Sequence, residues 1–340
     1  MPDPAALTAP GAPFEVVRTE NGSLLYADGP RTLREFAETT WAYGDRPFLV
    51  GGDGDHLLTY GDFFAAATVL ANRFVDSYGL RPGDRAAVLM EDRPEWPVAF
   101  WAAQLAGLVA VPLDAGWTGE EGSAVLEHCD PRVLLVDGAW LPGVRAWAGR
   151  TRARVVVVGA TAGEAPGAPV ERYEDLPAPD RYAAPPDIEI RAEDDATILY
   201  ASDGAPLRGA VSTQLAQAGA TMDVRFRAAA DALERGDLPG LGPAPAVRLD
   251  GSFTGPAALA QMYGAMASGG TLVLGEPGSG AGPVPAHAPA APAASPAVES
   301  RVAPGTGEVW LRGQSLPYAY WRDERATAES FTADGWFRAG

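Results

Sequence analysis

The stretch best suited to chemistry is DDATILYASDGAPLRGAVST, residues 194–213. Its β-branched and aromatic residues at 196–200 read as a strand, the Ser/Gly/Pro run as a turn, and 212–233 as a helix. Such a passage can cradle phosphate, because backbone N–H groups and the positive end of the helix face the anion. Ser202, Gly204, Arg208, Gly209 and Ser212 supply the hydroxyls, the conformational freedom and the charge that a cradle uses. Against it, Pro206 removes a donor, and Asp203 sets a carboxylate where an anion would sit. The same residues also suit a plain connecting turn, so on chemistry alone both readings stand.

Other reactive side chains are scattered. His128 and Cys129 are neighbours, so on a helix they point about 100° apart and cannot form a nucleophile–base pair; they read as one partly buried helix face. The remaining histidines, His56 and His287, lie far off in sequence, which argues against a three-histidine metal site. Asp53 and Asp55 in GGDGDH suit a hairpin turn better than a calcium loop. Glu120 and Glu121 suit a helix start. Tyr318, Tyr320, Trp321, Trp336 and Phe337 form either a binding face or, more simply, the core of a small C-terminal piece.

One absence carries chemical weight. All 26 basic residues are arginine, where ordinary usage would place on the order of twenty lysines in a chain this long. Arginine replaces lysine at tolerant sites but not where a compact ammonium is required. Schiff-base chemistry, a standard phosphate-loop lysine and any catalytic ammonium are excluded for these residues.

The elements that must position the 194–213 segment follow from periodicity. Thr32 caps a helix reaching Thr40, residues 48–50 and 57–59 pair as a hairpin, and 60–78 form a helix with an apolar face. Strands at 86–90, 108–111, 133–136 and 155–158 alternate with helices. The uncharged run 96–113 is long enough to span a membrane, but Pro97, Gln104 and Gly107 mark it as a buried helix feeding a buried strand. Short β-rich strands between helices predict an α/β fold with a parallel sheet covered on both faces. Helix 259–267, strand 271–274 and strand 308–312 complete the pattern. The boundaries expected are an N-terminal extension (1–29), a first α/β subdomain (30–190), a shortened second one (191–274), a disordered Pro/Ala/Gly linker (275–305) and a short β segment (306–340).

With 47% hydrophobic and 21% charged residues the chain can bury a core. A formal net charge of −18 disfavours nucleic acid and anionic membrane as partners. A single cysteine excludes an internal disulfide framework. The opening MPDPAALTAP has no apolar leader, so the chain reads as cytoplasmic.

Taken together, Asp194–Tyr200, Ser202 and GAVST at 209–213 resemble the phosphate-loop signature of the AMP-binding, adenylate-forming ligases, the acyl-CoA synthetases and their adenylation-domain relatives. Segments 58–74, 79–121 and 307–340 resemble acyl-CoA synthetase segments in matching order. The resemblance implies the large N-terminal domain of such an enzyme, a loop that wraps the phosphates of ATP, and an acyl substrate. It assigns nucleotide contacts to Ser202, Asp203, Gly204, Arg208, Gly209 and Ser212, and substrate contacts to Ser252 and Phe253, which stand where the family has Pro-Leu-Phe-His. The departures matter as much. The family loop, Tyr-Thr-Ser-Gly-Thr-Thr-Gly-x-Pro-Lys-Gly, is here YASDGAPLRG: one residue shorter, without threonines, with arginine for lysine. At 4 Å, Asp203 would add a repulsion of about 1 kcal/mol in water and a few times that near a protein surface. The Tyr-Gly-x-Thr-Glu motif that holds adenine and the magnesium ligand has no counterpart, and the sequence stops one residue before the position of the ribose-binding aspartate. These features lead to the expectation of a degenerate homologue that binds ATP or AMP weakly, holds magnesium poorly and has no catalytic residue or independent adenylation of its own. It would act as partner or ligand-binding module for an intact ligase, a carrier protein or another biosynthetic enzyme, with an acyl ligand. The alternatives are another reaction in the same cleft, on Ser202, Asp203, Arg208 and Ser212, or a weak acyl-AMP ligase completed in trans.

Overall fold

The computed structural model describes residues 4–51, 57–117, 119–159, 170–200, 207–249, 252–275, 295–303, 305 and 307–339. In chain order these form a hairpin, β1 (Val16–Arg18) and β2 (Leu24–Tyr26); α1 (Leu33–Thr40); β3 (Pro47–Val50) and β4 (Leu57–Thr59); and α2 (Tyr60–Asn72). Next come β5 (Arg85–Leu89), α3 (Glu95–Leu105), β6 (Val109–Pro112), α4 (Gly119–Cys129), β7 (Val133–Asp137), α5 (Leu141–Arg150), β8 (Arg154–Val158) and β9 (Val170–Arg172). The second half holds β10 (Asp195–Tyr200), β11 (Gly209–Thr213), α6 (Gln214–Glu234), β12 (Ala246–Arg248), α7 (Pro256–Ala267) and β13 (Thr271–Val273). It ends with β14 (Val298–Val302), β15 (Val309–Gly313), β16 (Ala319–Tyr320), α8 (Glu324–Ser330) and β17 (Phe337–Arg338).

Threonines start three of the helices as the sequence requires. The side chains of Thr32, Thr59 and Thr213 accept from the backbone N–H groups of Glu35, Asp62 and Ala216, each satisfying a donor the helix cannot.

The main sheet has eight strands in the order β16-β11-β10-β6-β5-β7-β8-β9. From β10 to β9 every pairing is parallel, whereas β11 runs antiparallel to both β10 and β16. A second sheet has the order β12-β13-β3-β4, and β14-β15-β17 form a third. The expected doubly covered parallel sheet is present. Ala86, Val88, Leu135 and Val156 face one core with α1, α2, α3 and α7, while Ala87, Leu89, Leu134 and Val155 face another with α4 and α5. In helix α3 every residue from Trp96 to Leu105 is buried, which explains why that stretch after Glu95 carries no charge. Among the described residues no helix is long and apolar enough to cross a membrane.

Three features differ from the sequence expectation. Both large sheets draw strands from both sides of residue 190, since β10 and β11 join β5–β9 and β12 and β13 join β3 and β4; that boundary cuts through both of them. Val298–Val302, inside the expected 275–305 linker, is a strand, because its partner β15 supplies a full antiparallel register from Val298↔Gly313 to Val302↔Val309. Residues 276–294 of the linker lie outside the described residues. Finally, β11 stands where the end of the turn and the first two residues of the 212–233 helix were expected, and the helix begins only at Gln214.

Candidate functional site

The carboxyl edge of the main sheet is where the chemistry-bearing residues gather, as expected for an open α/β sheet. β10 is fixed from behind by buried amides. Gln104 Nε2 on α3 donates to the Ala196 carbonyl (3.0 Å), and Gln214 Nε2 donates to Gln104 Oε1 (2.9 Å). Gln214 Oε1 accepts from the Leu33 N–H (2.9 Å), and Gln217 Nε2 donates to Thr197 Oγ1 (3.2 Å) while accepting from Tyr263 OH (2.9 Å). A satisfied buried network of this kind ties α1, α3, α6, α7 and β10 together.

Strands β10 and β11 are joined by residues 201–208, of which 201–206, with Ser202, Asp203 and Gly204, lie outside the described residues. The base of that connection is well defined. Tyr200 pairs with Gly209, and a Cβ on Gly209 would lie 2.5 Å from Ile198 Cγ2 and 2.8 Å from the Tyr200 ring; only glycine lets the phenol cross it. The Tyr200 hydroxyl lies 2.7 Å from His128 Nδ1 on α4. Burial raises the Tyr200 pKa well above its ordinary value, keeping it a donor, and burial together with Arg322 lowers that of His128, opposed by Asp323. Cys129 beside it is buried and its thiol pushed up to about 12, so it is inert at neutral pH. The helix-face reading of this pair omitted the bond to Tyr200, which no sequence spacing encodes.

Arg208, the last residue of the connection, is half-buried with its guanidinium carbon 5.6 Å from the centre of the Tyr320 ring. Among the described residues its Nε is buried without a hydrogen-bond partner. Ser212 is buried at the far end of β11, opposite Thr197. Three residues of strand, about 10 Å, separate it from Gly209, so the structure does not gather it with Arg208 as a turn-into-helix passage would.

Phe253, with Ser252 before it in the chain, meets Asp92 just past the carboxyl end of β5. Phe253 is fully buried and stacks on Trp96 (ring centres 4.4 Å, planes 10° apart), so its ring is part of the core. Its N–H donates to Asp92 Oδ1 at 3.3 Å. Burial raises Asp92 to about 6, helped by the nearby charges of Glu91 and Asp114 and opposed by that N–H. Composition gave no hint of Asp92, because its burial is decided by tertiary packing and not by its neighbours in sequence. The aromatic cluster divides: Trp336 and Phe337 pack in the third sheet, while Tyr318, Tyr320 and Trp321 line the edge at β16. Among the described residues no three His, Cys, Asp or Glu side chains are placed to share a metal ion.

A family model described as AMP-binding enzyme matches residues 36–281. The chain belongs to the AMP-binding enzyme family. It is 38% identical over 108 residues to the L-proline--[L-prolyl-carrier protein] ligase of Streptomyces coelicolor, covering 32% of this chain and 20% of that one. It is 32% identical over 178 residues to the 2-succinylbenzoate--CoA ligase of Bacillus licheniformis, covering 52% and 32% respectively. The chain thus spans between a fifth and a third of the length of these two curated relatives. The fold matches the N-terminal domain of FACL13 from Mycobacterium tuberculosis (TM-score 0.70, 17% identity, 91% of this chain and 96% of that one). It also matches the A domain of carboxylic acid reductase from Segniliparus rugosus, solved with AMP and a co-purified carboxylic acid (TM-score 0.69, 16% identity, 91% and 72%). The family reading made from the loop and its flanks is therefore correct, as is the α/β class of this AMP-binding fold.

Proposed function

We propose that this member of the AMP-binding family binds ATP or AMP at the β10–β11 connection but does not activate a carboxylate unaided, and that it serves as a ligand-binding partner in a biosynthetic pathway. The observation that carries the reading is the loop cation: it is Arg208, in a sequence without a single lysine. The buried, unpartnered Nε of Arg208 fits an anionic group such as a nucleotide phosphate, since an unsatisfied charged donor is costly until an acceptor arrives. Arg208, the backbone at Gly209 and the hydroxyl of Ser202 would hold that group, with Ser252 beside Asp92 on the acyl side. The nucleotide, when bound, supplies the phosphoanhydride that adenylation consumes. What this chain lacks for that step is a compact ammonium, because a planar guanidinium cannot substitute for one that must follow moving charge. No Tyr-Gly-x-Thr-Glu run occurs between β13 and β15. The kinship with a ligase acting on a prolyl-carrier protein and with malpinin synthetase supports a carrier protein or a synthetase as the class of partner.

ATP–pyrophosphate exchange with a panel of carboxylic acids tests the reading. The expected result is no exchange above blank, with calorimetric heat for ATP or AMP; robust exchange by the purified chain would refute it. The His128–Tyr200 bond favours a second reading, in which the cleft performs a different proton-transferring reaction. Its mark would be a metabolite turned over by the parent chain and not by H128N or R208A.

A further inference from the structure

The ring that the Arg208 guanidinium lies over comes from β16, more than a hundred residues later. β16 is laid along β11 in strict register, Ala210↔Tyr320 and Val211↔Ala319. The Trp321 N–H donates to the Gly209 carbonyl at 2.7 Å, and the Tyr318 N–H donates to Val211 at 3.0 Å. Tyr320 is fixed in turn from α8: its N–H donates to Thr327 Oγ1 (2.9 Å), and Phe331 meets its ring edge-on at 6.4 Å. Behind it, Trp321 Nε1 and Arg322 Nη1 donate to the His128 carbonyl at 3.2 and 3.3 Å, joining this edge to the residue that holds Tyr200.

We propose that Tyr320 is a positioning residue that orients Arg208 toward the anion that this guanidinium binds. A guanidinium placed over a tyrosine ring gains cation–π attraction and keeps its donors directed along its edges. One edge, Nε, is the buried atom without a partner. The ring therefore fixes the charge while leaving that donor for the ligand, and the ordering is complete before the ligand arrives. A lysine could use the ring only as a point charge and would present no fixed edge, so the Arg208–Tyr320 pair works as a unit. This inference rests on the nucleotide-binding reading above and adds the residue that sets the geometry of its cation.

The experiment is calorimetric titration of the full chain with ATP, alongside thermal unfolding of each variant. Tyr320→Phe keeps the ring and is expected to bind within about twofold of the parent. Tyr320→Leu is expected to weaken binding about five- to tenfold at unchanged unfolding temperature, and to change binding less than twofold once Arg208→Ala is present. Equal weakening by Tyr320→Leu with and without Arg208, or no weakening at all, overturns the proposal. Should Tyr320→Leu not fold, Arg208→Lys decides: loss equal to that of Arg208→Ala supports the pair, and parental affinity overturns it. Absence of any ATP binding by the parent chain would instead remove the nucleotide reading itself, and the role of Tyr320 with it.

Discussion

Single residues at this site are chosen by close approach and by burial. Gly209 is the sharpest case, because any Cβ there meets Ile198 and Tyr200 at 2.5 and 2.8 Å. Gly209→Ala is expected to cost about 1–3 kcal/mol, measured by urea unfolding, as the phenol and its bond to His128 are displaced. Asp92 gives a pH signature. Its pKa rises on folding from an ordinary 3.8 to about 6, so its contribution to stability is fully present below about pH 4 and is lost as pH rises through 6. Asp92→Asn keeps an acceptor for the Phe253 N–H and removes the buried charge. Its unfolding temperature is expected to exceed the parent's by a few degrees at pH 7.5 and to match it at pH 4; a constant difference across that range would refute the assignment. The importance of Gly209 and Arg208 was legible in the loop motif. Those of Asp92, His128 and Tyr320 were not, because each acts on a partner distant in sequence.

At the scale of elements, the β10–β11 hairpin shows where local pattern misleads. Gly209–Thr213 carries few strand-forming residues, and a glycine-led run before a helix reads as turn. It becomes a strand because β10 and β16 both offer it backbone partners, and those hydrogen bonds outweigh weak propensity. The third sheet is held in another way, by a stack of arginines and indoles. Arg338 and Arg301 flank Trp310 at 5.5 and 4.9 Å, and Arg301 and Arg312 flank Trp336 at 4.0 and 4.5 Å. Arg301 contributes to both contacts, so Arg301→Ala is expected to cost about 1–2 kcal/mol, visible as faster amide exchange in β14, β15 and β17 before global unfolding. Unchanged exchange there would show the stack to be incidental.

For the molecule as a whole, the interleaving of strands is the controlling fact. Because β3 and β4 share a sheet with β13, and β10 pairs with β6, neither side of residue 190 owns either of the two larger sheets. Residues 1–190 expressed alone are expected to lack a cooperative unfolding transition, and the full chain to unfold in one main step followed by circular dichroism; an independently cooperative fragment would contradict this. The amino-acid sequence by itself determined the α/β class, the buried α3–β6 passage, the helix start at Thr32, and the family. Each of these is written in spacing of two to four residues or in one contiguous motif. Only the tertiary structure decided which strands share a sheet, that 298–302 is ordered, and which side chains hold the loop. Strand partners, desolvation and a ring placed over a cation arise between segments far apart in the chain, where no local period records them.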